Sequence, residues 1–263
     1  MVHYEKMPLY DTLEKVRNGE ILKAVYIFRG DSLSSEKSDT AEYNVDSEFA
    51  CFEDISFPKG SFVYPGSFNP LHSGHIALVV AALKSAGWSG RGEDQQNAFP
   101  VIFEIAVVNA DKPSLNRDEI VRRLRQFSTS SELFKAAGLQ NFAVCITSAP
   151  YFVSKAEIFN NCNFILGVDT LARLLHSKYY ENSEMCMVAA FATMKAQGIS
   201  FIVGGRICGS NENESEAEFM TVDSVMLQQG SSLPSSVKAM FKGLNEEDFR
   251  ADISSTEIRN SLK

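Results

Sequence analysis

The chain has 263 residues, 44% of them apolar and 22% charged, with a formal net charge of -8 at neutral pH. That composition can bury a sizeable core in one large domain or two small ones, and its negative balance excludes broad nucleic-acid binding, which draws on clustered Lys and Arg. No apolar stretch approaches the roughly 20 residues of a membrane span, the polar start MVHYEKMPLYD lacks signal-peptide or transit-peptide character, and the five cysteines are scattered without zinc or disulfide spacing.

A cytoplasmic protein, or one of another intracellular compartment such as the nucleus, is expected, with neither membrane nor nucleic acid among its partners. Any anion site must be local. Leu13 to Phe28 has the apolar spacing of a helix running into a strand, and Asp31 to Glu48 is polar, acidic and aperiodic, as in a long loop or partly disordered insert. Residues 1–57 therefore read as an amino-terminal extension and 58–263 as the main domain. Strands are expected at Ser61–Tyr64, Pro100–Val108, Phe142–Thr147, Asn163–Gly167 and Ser200–Gly204, with shorter ones near Phe219–Met226 and Phe249–Ala251. Helices should fill the gaps at Ser73–Ala86, Arg117–Phe127, Phe152–Phe159, Thr170–His176, Ser183–Gln197 and Ser235–Phe241. This alternation predicts an α/β fold: a Rossmann-like, doubly wound, mainly parallel sheet of about five or six strands with helices on both faces. Ligands of such sheets bind beyond the carboxyl ends of the strands, where the strand order reverses.

Two segments carry chemistry. In YPGSFNPLHSGH, Tyr64 to His75, two of the chain's four histidines stand three residues apart, after a strand and a glycine turn and at the start of an apolar helix. A helix amino terminus offers unpaired N–H groups and a positive dipole end, so His72 and His75 suit an anionic ligand such as phosphate. The plain structural alternative is a histidine pair capping a helix. In DISSTEIRNSL, Asp252 to Leu262, Ser254 and Glu257 have capping-box spacing. A helix starting near Ser255 would put Thr256 or Ser255 and Arg259 on one face, where hydroxyls, N–H groups and a guanidinium fork converge on phosphate oxygens.

Together these segments resemble the signature pair of the nucleotidylyltransferase superfamily, GxFxPxHxGH near the start and ISSTxIR near the end. The ISSTEIR form, with KPSLNRDEIVRRL and FILGVDTLARLLHSKYY between, is most similar to the nicotinamide and nicotinate mononucleotide adenylyltransferases and to eukaryotic cytidylyltransferase-like proteins. The resemblance covers roughly residues 59–263. It implies that an acceptor phosphate attacks the α-phosphorus of ATP in line and expels pyrophosphate, with nicotinamide mononucleotide or its acid form as acceptor. His72 and His75 would then stabilise the α- and β-phosphates, Gly74 would let the helix backbone approach, and Gly66, Ser67 and Phe68 would line the nucleotide through backbone N–H groups. Lys112 would meet the reacting phosphates or the acceptor, Gly167 and Asp169 the ribose, and Arg206 the base. Ser254, Ser255, Thr256 and Arg259 would hold the outgoing pyrophosphate. Magnesium is implied, held mainly through triphosphate oxygens and water rather than by a carboxylate cage.

The chain departs from those adenylyltransferases in one respect. They carry a tryptophan beyond the arginine-bearing helix, whereas the single tryptophan here is Trp88; Phe127, Tyr151 or Phe152 would have to serve. Two alternatives stay open: a transferase of the same mechanism using CTP or another phosphorylated acceptor, and a protein that binds or hydrolyses ATP without transfer. A homo-oligomer is compatible with each.

Overall fold

The computed structural model describes residues 8–28, 51–52, 55–89, 100–111, 113–208, 218–230, 233–250 and 258–259. In chain order these form α1 (Leu9–Arg17), β1 (Lys23–Phe28), β2 (Cys51–Phe52), β3 (Phe62–Pro65), α2 (Ser73–Ser85), β4 (Val101–Ala106), α3 (Arg117–Thr129), α4 (Ser131–Ala136), β5 (Phe142–Thr147), α5 (Phe152–Ile158), β6 (Asn163–Gly167), α6 (Val168–Leu174), α7 (Glu184–Ala196) and β7 (Ser200–Gly204). There follow β8 (Arg206–Cys208), β9 (Glu218–Met220), α8 (Val222–Gln229), α9 (Ser235–Lys238) and β10 (Phe241–Gly243). The insert expected at Asp31–Glu48 lies outside the described residues.

The central sheet has the order β10-β7-β6-β3-β4-β5-β1-β2. The strands from β10 to β5 run parallel, while β1 is antiparallel to β5 and β2 to β1. The fold is thus the expected Rossmann-like α/β arrangement, with eight strands in place of about five or six: β10 is added at one edge and the antiparallel β1 and β2 at the other. From β3 the chain builds outward through β4 and β5, then crosses back to lay β6, β7 and β10 on the other side. The order reverses between β3 and β6, which leaves a crevice beyond their carboxyl ends.

Period-two burial divides the core. Val101, Phe103 and Ile105 of β4 face α1 to α4, whereas Ile102 faces the second layer, where α5 to α8 pack. The first layer centres on Phe28, Phe68, Phe103, Phe127, Phe134 and Phe142, with the Phe134 and Phe142 rings stacked at 4.2 Å. Burial of each such ring contributes about 1.5–3 kcal/mol.

Four expected elements differ. The strand expected near Phe219–Met226 is β9 followed by α8, because Thr221 and Ser224 form a reciprocal capping box that starts a helix inside a β-branched run. The helix expected over Ser235–Phe241 stops at Lys238, and Phe241 instead begins β10, paired in parallel with Phe201 to Val203 of β7. No strand forms at Phe249 and Arg250; Ala251 lies outside the described residues. Helix α6 also begins earlier than expected, with Gly167 as its N-cap immediately after β6.

The residues before 58 reach into this core. β1 pairs with β5 along its whole length, from Lys23 opposite Thr147 to Phe28 opposite Phe142, and Leu9, Leu13 and Val16 of α1 are fully buried against the first layer. Removing residues 1–57 would expose the β5 edge and the apolar surface of the first layer that α1 covers. A chain beginning at residue 58 is expected to lose cooperative urea unfolding and to bind a hydrophobic dye; retained cooperativity would show that β1 is dispensable.

Candidate active site

The loop between β3 and α2 is built around a buried ring. Gly66 continues the ladder by donating its N–H to the Glu104 carbonyl at 2.9 Å, and then Phe68 takes φ 43°. A non-glycine residue in this left-handed region costs roughly 1–2 kcal/mol. The Phe68 ring offsets it: the residue is 1% exposed and its ring centroid lies 5.4 Å from that of Tyr64, 5.6 Å from Phe103 and 5.5 Å from Phe127. Gly66 is required beside it, because a Cβ there would lie 2.5 Å from Phe68 Cζ.

Helix α3 holds the outer side of the same loop. Arg123 Nη1 donates to the Ser67 carbonyl at 2.8 Å, and Gln126 Nε2 donates to the Phe68 carbonyl at 3.0 Å while its Oε1 accepts the Leu71 N–H at 2.8 Å. Arg122 Nη2 donates to Asn69 Oδ1 at 2.6 Å, and Glu119 grips both arginines, at 2.7 Å to Arg122 Nε and 2.8 Å to Arg123 Nε. The Arg122 bond, then that of Arg123, hold the Glu119 carboxyl down at about 2 against partial burial. These residues share one helix face at spacings of three and four. Arg122 and Arg123 are therefore clamp residues, each bonded to this loop. Arg259 completes the clamp, donating from Nη1 to the Asn69 carbonyl, so the two distant motifs meet on one residue.

His72 is the N-cap of α2 and Gly74 lies in its first turn. The His72 N–H donates to His75 Nδ1 at 3.2 Å, with the two rings 3.7 Å apart. A neutral His75 accepting there carries its own proton on Nε2. Burial first, and then the neighbouring His72, lower the His75 pKa from 6.5 to about 3. His75 is thus a neutral hydrogen-bond donor at a helix amino terminus.

Beside the loop opens a cavity of about 460 Å³ at the carboxyl ends of the strands, with Gly66, Ser67 and Arg259 in its wall. His72 and His75, at the head of α2, are not among the residues that line it. Gly167 caps α6, and Asp169 in that helix accepts from Arg206 Nη1 at 2.6 Å, both about half exposed. These two expected nucleotide contacts are brought to each other, at the ends of β6 and β7. Lys112, Ser254, Ser255 and Thr256 lie outside the described residues. The Gly66 N–H is already spent on β4, so among the expected backbone donors only Ser67 and Phe68 remain for a nucleotide.

Sequence reasoning passed over the cavity floor. Glu104 of β4 and Lys155 of α5 form a buried pair at 2.6 Å, joined by the Thr147 hydroxyl at 2.5 Å. The signal was a lone carboxylate inside the apolar run VIFEIAVV, which burial obliges to find a partner; nothing local named Lys155. Asp111 and Tyr179 bridge two walls, the Tyr179 hydroxyl donating to Asp111 Oδ2 and Lys178 Nζ to Oδ1 at 3.1 Å. Those bonds, Tyr179 first, hold the Asp111 carboxyl below its ordinary range.

These carboxylates bear on magnesium. Glu104 is engaged by Lys155, Asp111 by Lys178 and Asp169 by Arg206, and no group of three or more candidate ligands occurs among the described residues. They do not fit a protein-built magnesium cage.

Comparison of the chain with models of known protein families produced no match, and comparison with curated proteins produced none either.

Gly66→Ala should push the Phe68 ring from its socket, lowering stability by about 1–3 kcal/mol by urea unfolding; an unchanged midpoint would mean the ring relocates freely. His75 stays neutral in the fold, whereas in the unfolded chain it protonates near 6.5, so only the unfolded state binds that proton between about pH 6.5 and 3. Stability from this residue is complete above that window and falls as pH drops through it, by up to about 1.4 kcal/mol per pH unit. His75→Gln should remove that slope from urea midpoints measured between about pH 5 and 7; an identical slope would show that His75 titrates normally.

Proposed function

We propose that the protein is a nucleotidylyltransferase that transfers AMP from ATP to nicotinamide mononucleotide or its acid form, releasing pyrophosphate. The observation that carries this reading is the bond from Arg259 to the Asn69 carbonyl, which joins the ISSTEIR segment to the GSFNPLHSGH loop across 190 positions. An anion clamp needs both halves in one place, and a coincidental pair of motifs has no reason to meet.

In the proposed reaction an oxygen of the acceptor phosphate forms a bond to the α-phosphorus as the bond to the bridging β-oxygen breaks, and pyrophosphate departs with the electron pair. The protein's part is positioning and charge stabilisation. His75 donates Nε2–H to a phosphate oxygen without needing to be charged, which suits a buried site. His72 stands beside it at the N-cap, and the amino end of α2 contributes its N–H groups. Arg259 offers a fork to the leaving pyrophosphate while one of its nitrogens holds Asn69. Magnesium, when bound, would supply neutralisation of phosphate charge. The paired Asp169 and Arg206 lie toward β6 and β7, the side on which the ribose and base are expected.

The test is pyrophosphate release with magnesium, each triphosphate and a panel of phosphorylated acceptors. Release with ATP and a pyridine mononucleotide supports the reading. Release with CTP alone selects the cytidylyltransferase alternative, and inorganic phosphate without any acceptor selects hydrolysis. His75→Ala should lower turnover by a factor on the order of 100 or more, the scale for one preorganised donor, with the circular-dichroism spectrum unchanged. Full turnover in that variant would remove His75 from the mechanism.

A further inference from the structure

The floor of the cavity is ionic and incompletely served. Glu104 and Lys155 both line it, although their side chains are only 1% and 6% exposed. Lys155 Nζ donates to Glu104 Oε1 at 2.6 Å and to the Ala149 carbonyl at 2.7 Å. A protonated amine has three hydrogens, so one donor position is left. The Thr147 hydroxyl donates to the same carboxylate oxygen, Oε1, at 2.5 Å. Glu104 Oε2 receives none of these bonds.

Burying such a pair is expensive, and an apolar replacement would often be at least as stable. Glu104 lines the cavity, so an occupant or a water there can supply Oε2 with a donor. The two open positions are of opposite kind and belong to one charge-balanced pair. Their complement is a neutral planar group that presents an acceptor and a donor side by side, as a primary carboxamide does. A carboxylate has no donor, and it would bring negative charge against Glu104 Oε2 where the dielectric is low. Above the floor, Tyr151 is 45% exposed at the cavity wall and Phe152 lies next to it, so aromatic faces are available to a flat ring.

We propose that Glu104 and Lys155 select the acceptor, taking a phosphorylated heteroaromatic that carries a ring carboxamide and rejecting its ring-carboxylate counterpart. This rests on the transferase reading for the reaction followed, but binding can be measured without it. Glu104 accepts from the amide N–H and Lys155 donates to the amide oxygen. Thr147 and the Ala149 carbonyl fix the pair, and no covalent step involves either residue.

The experiment compares kcat/KM for nicotinamide mononucleotide and nicotinate mononucleotide with ATP, in the wild type, Glu104→Gln and the charge-neutral double variant Glu104→Gln with Lys155→Met. The wild type should prefer the amide on the order of tenfold or more, and Glu104→Gln should abolish or reverse that preference. The double variant, which leaves no buried ammonium unpaired, should also lose it while keeping a cooperative thermal transition. Equal wild-type use of both acceptors overturns the proposal, as does an unchanged preference in either folded variant. If the wild type releases pyrophosphate with neither, the transferase reading fails, and calorimetric titration of the two mononucleotides decides the selection separately. Amide binding that Glu104→Gln removes supports it, and absent or unselective binding overturns it.

Discussion

The turn from Gly66 to Leu71 is held open by side chains that satisfy its carbonyl groups from one side. Arg123, Gln126 and Arg259 donate to the carbonyls of Ser67, Phe68 and Asn69 in succession, and the buried Phe68 ring anchors the turn from below. A loop with its carbonyls so committed can present its remaining donors to an anion at no further cost of ordering. The position of Arg259 follows from that arrangement, whereas His75 is kept neutral by burial and by the neighbouring His72. The arrangement in turn depends on α3, whose Glu119, Arg122, Arg123 and Gln126 recur on the face toward the loop.

A second polar insertion sits on the opposite side of the sheet. Successive β4 residues point to opposite layers, so Phe103 supports the loop anchor while Glu104 reaches the cavity floor. The strand therefore links the proposed triphosphate end to the proposed acceptor end through neighbouring residues. Both ends lie beyond the carboxyl termini of the parallel strands, where right-handed crossovers leave the loops of β3, β4 and β6 around one crevice. Glu104, Asp111 and Asp169 around the cavity are each paired with a cation.

Much of this was legible before the fold was known. The strands β3 to β7 and the helices α2, α3, α5 and α7 followed from apolar period, and the structure adds the caps Asn116 and Ser183 to α3 and α7. Thr221 and Ser224 were equally local signals, hidden because Val222, Val225 and Met226 read as a strand. β10 was not local at all: three residues pair only because β7 offers an edge. The amino-terminal segment looked like an appendage because its pattern is separated from the domain by a long polar stretch, yet β1 covers the edge of β5.

The sequence by itself determined the class of fold and supplied the residue types from which the clamp is proposed, since period, capping and the two motifs are each encoded within a few positions. Only the tertiary structure decided that the motifs meet at Asn69, that α3 holds the loop, and that Glu104 is answered by Lys155. These are contacts between residues 51 to 190 positions apart. Local pattern carries no record of such partners, because they are chosen by the order of strands and by which face of the sheet each side chain must occupy.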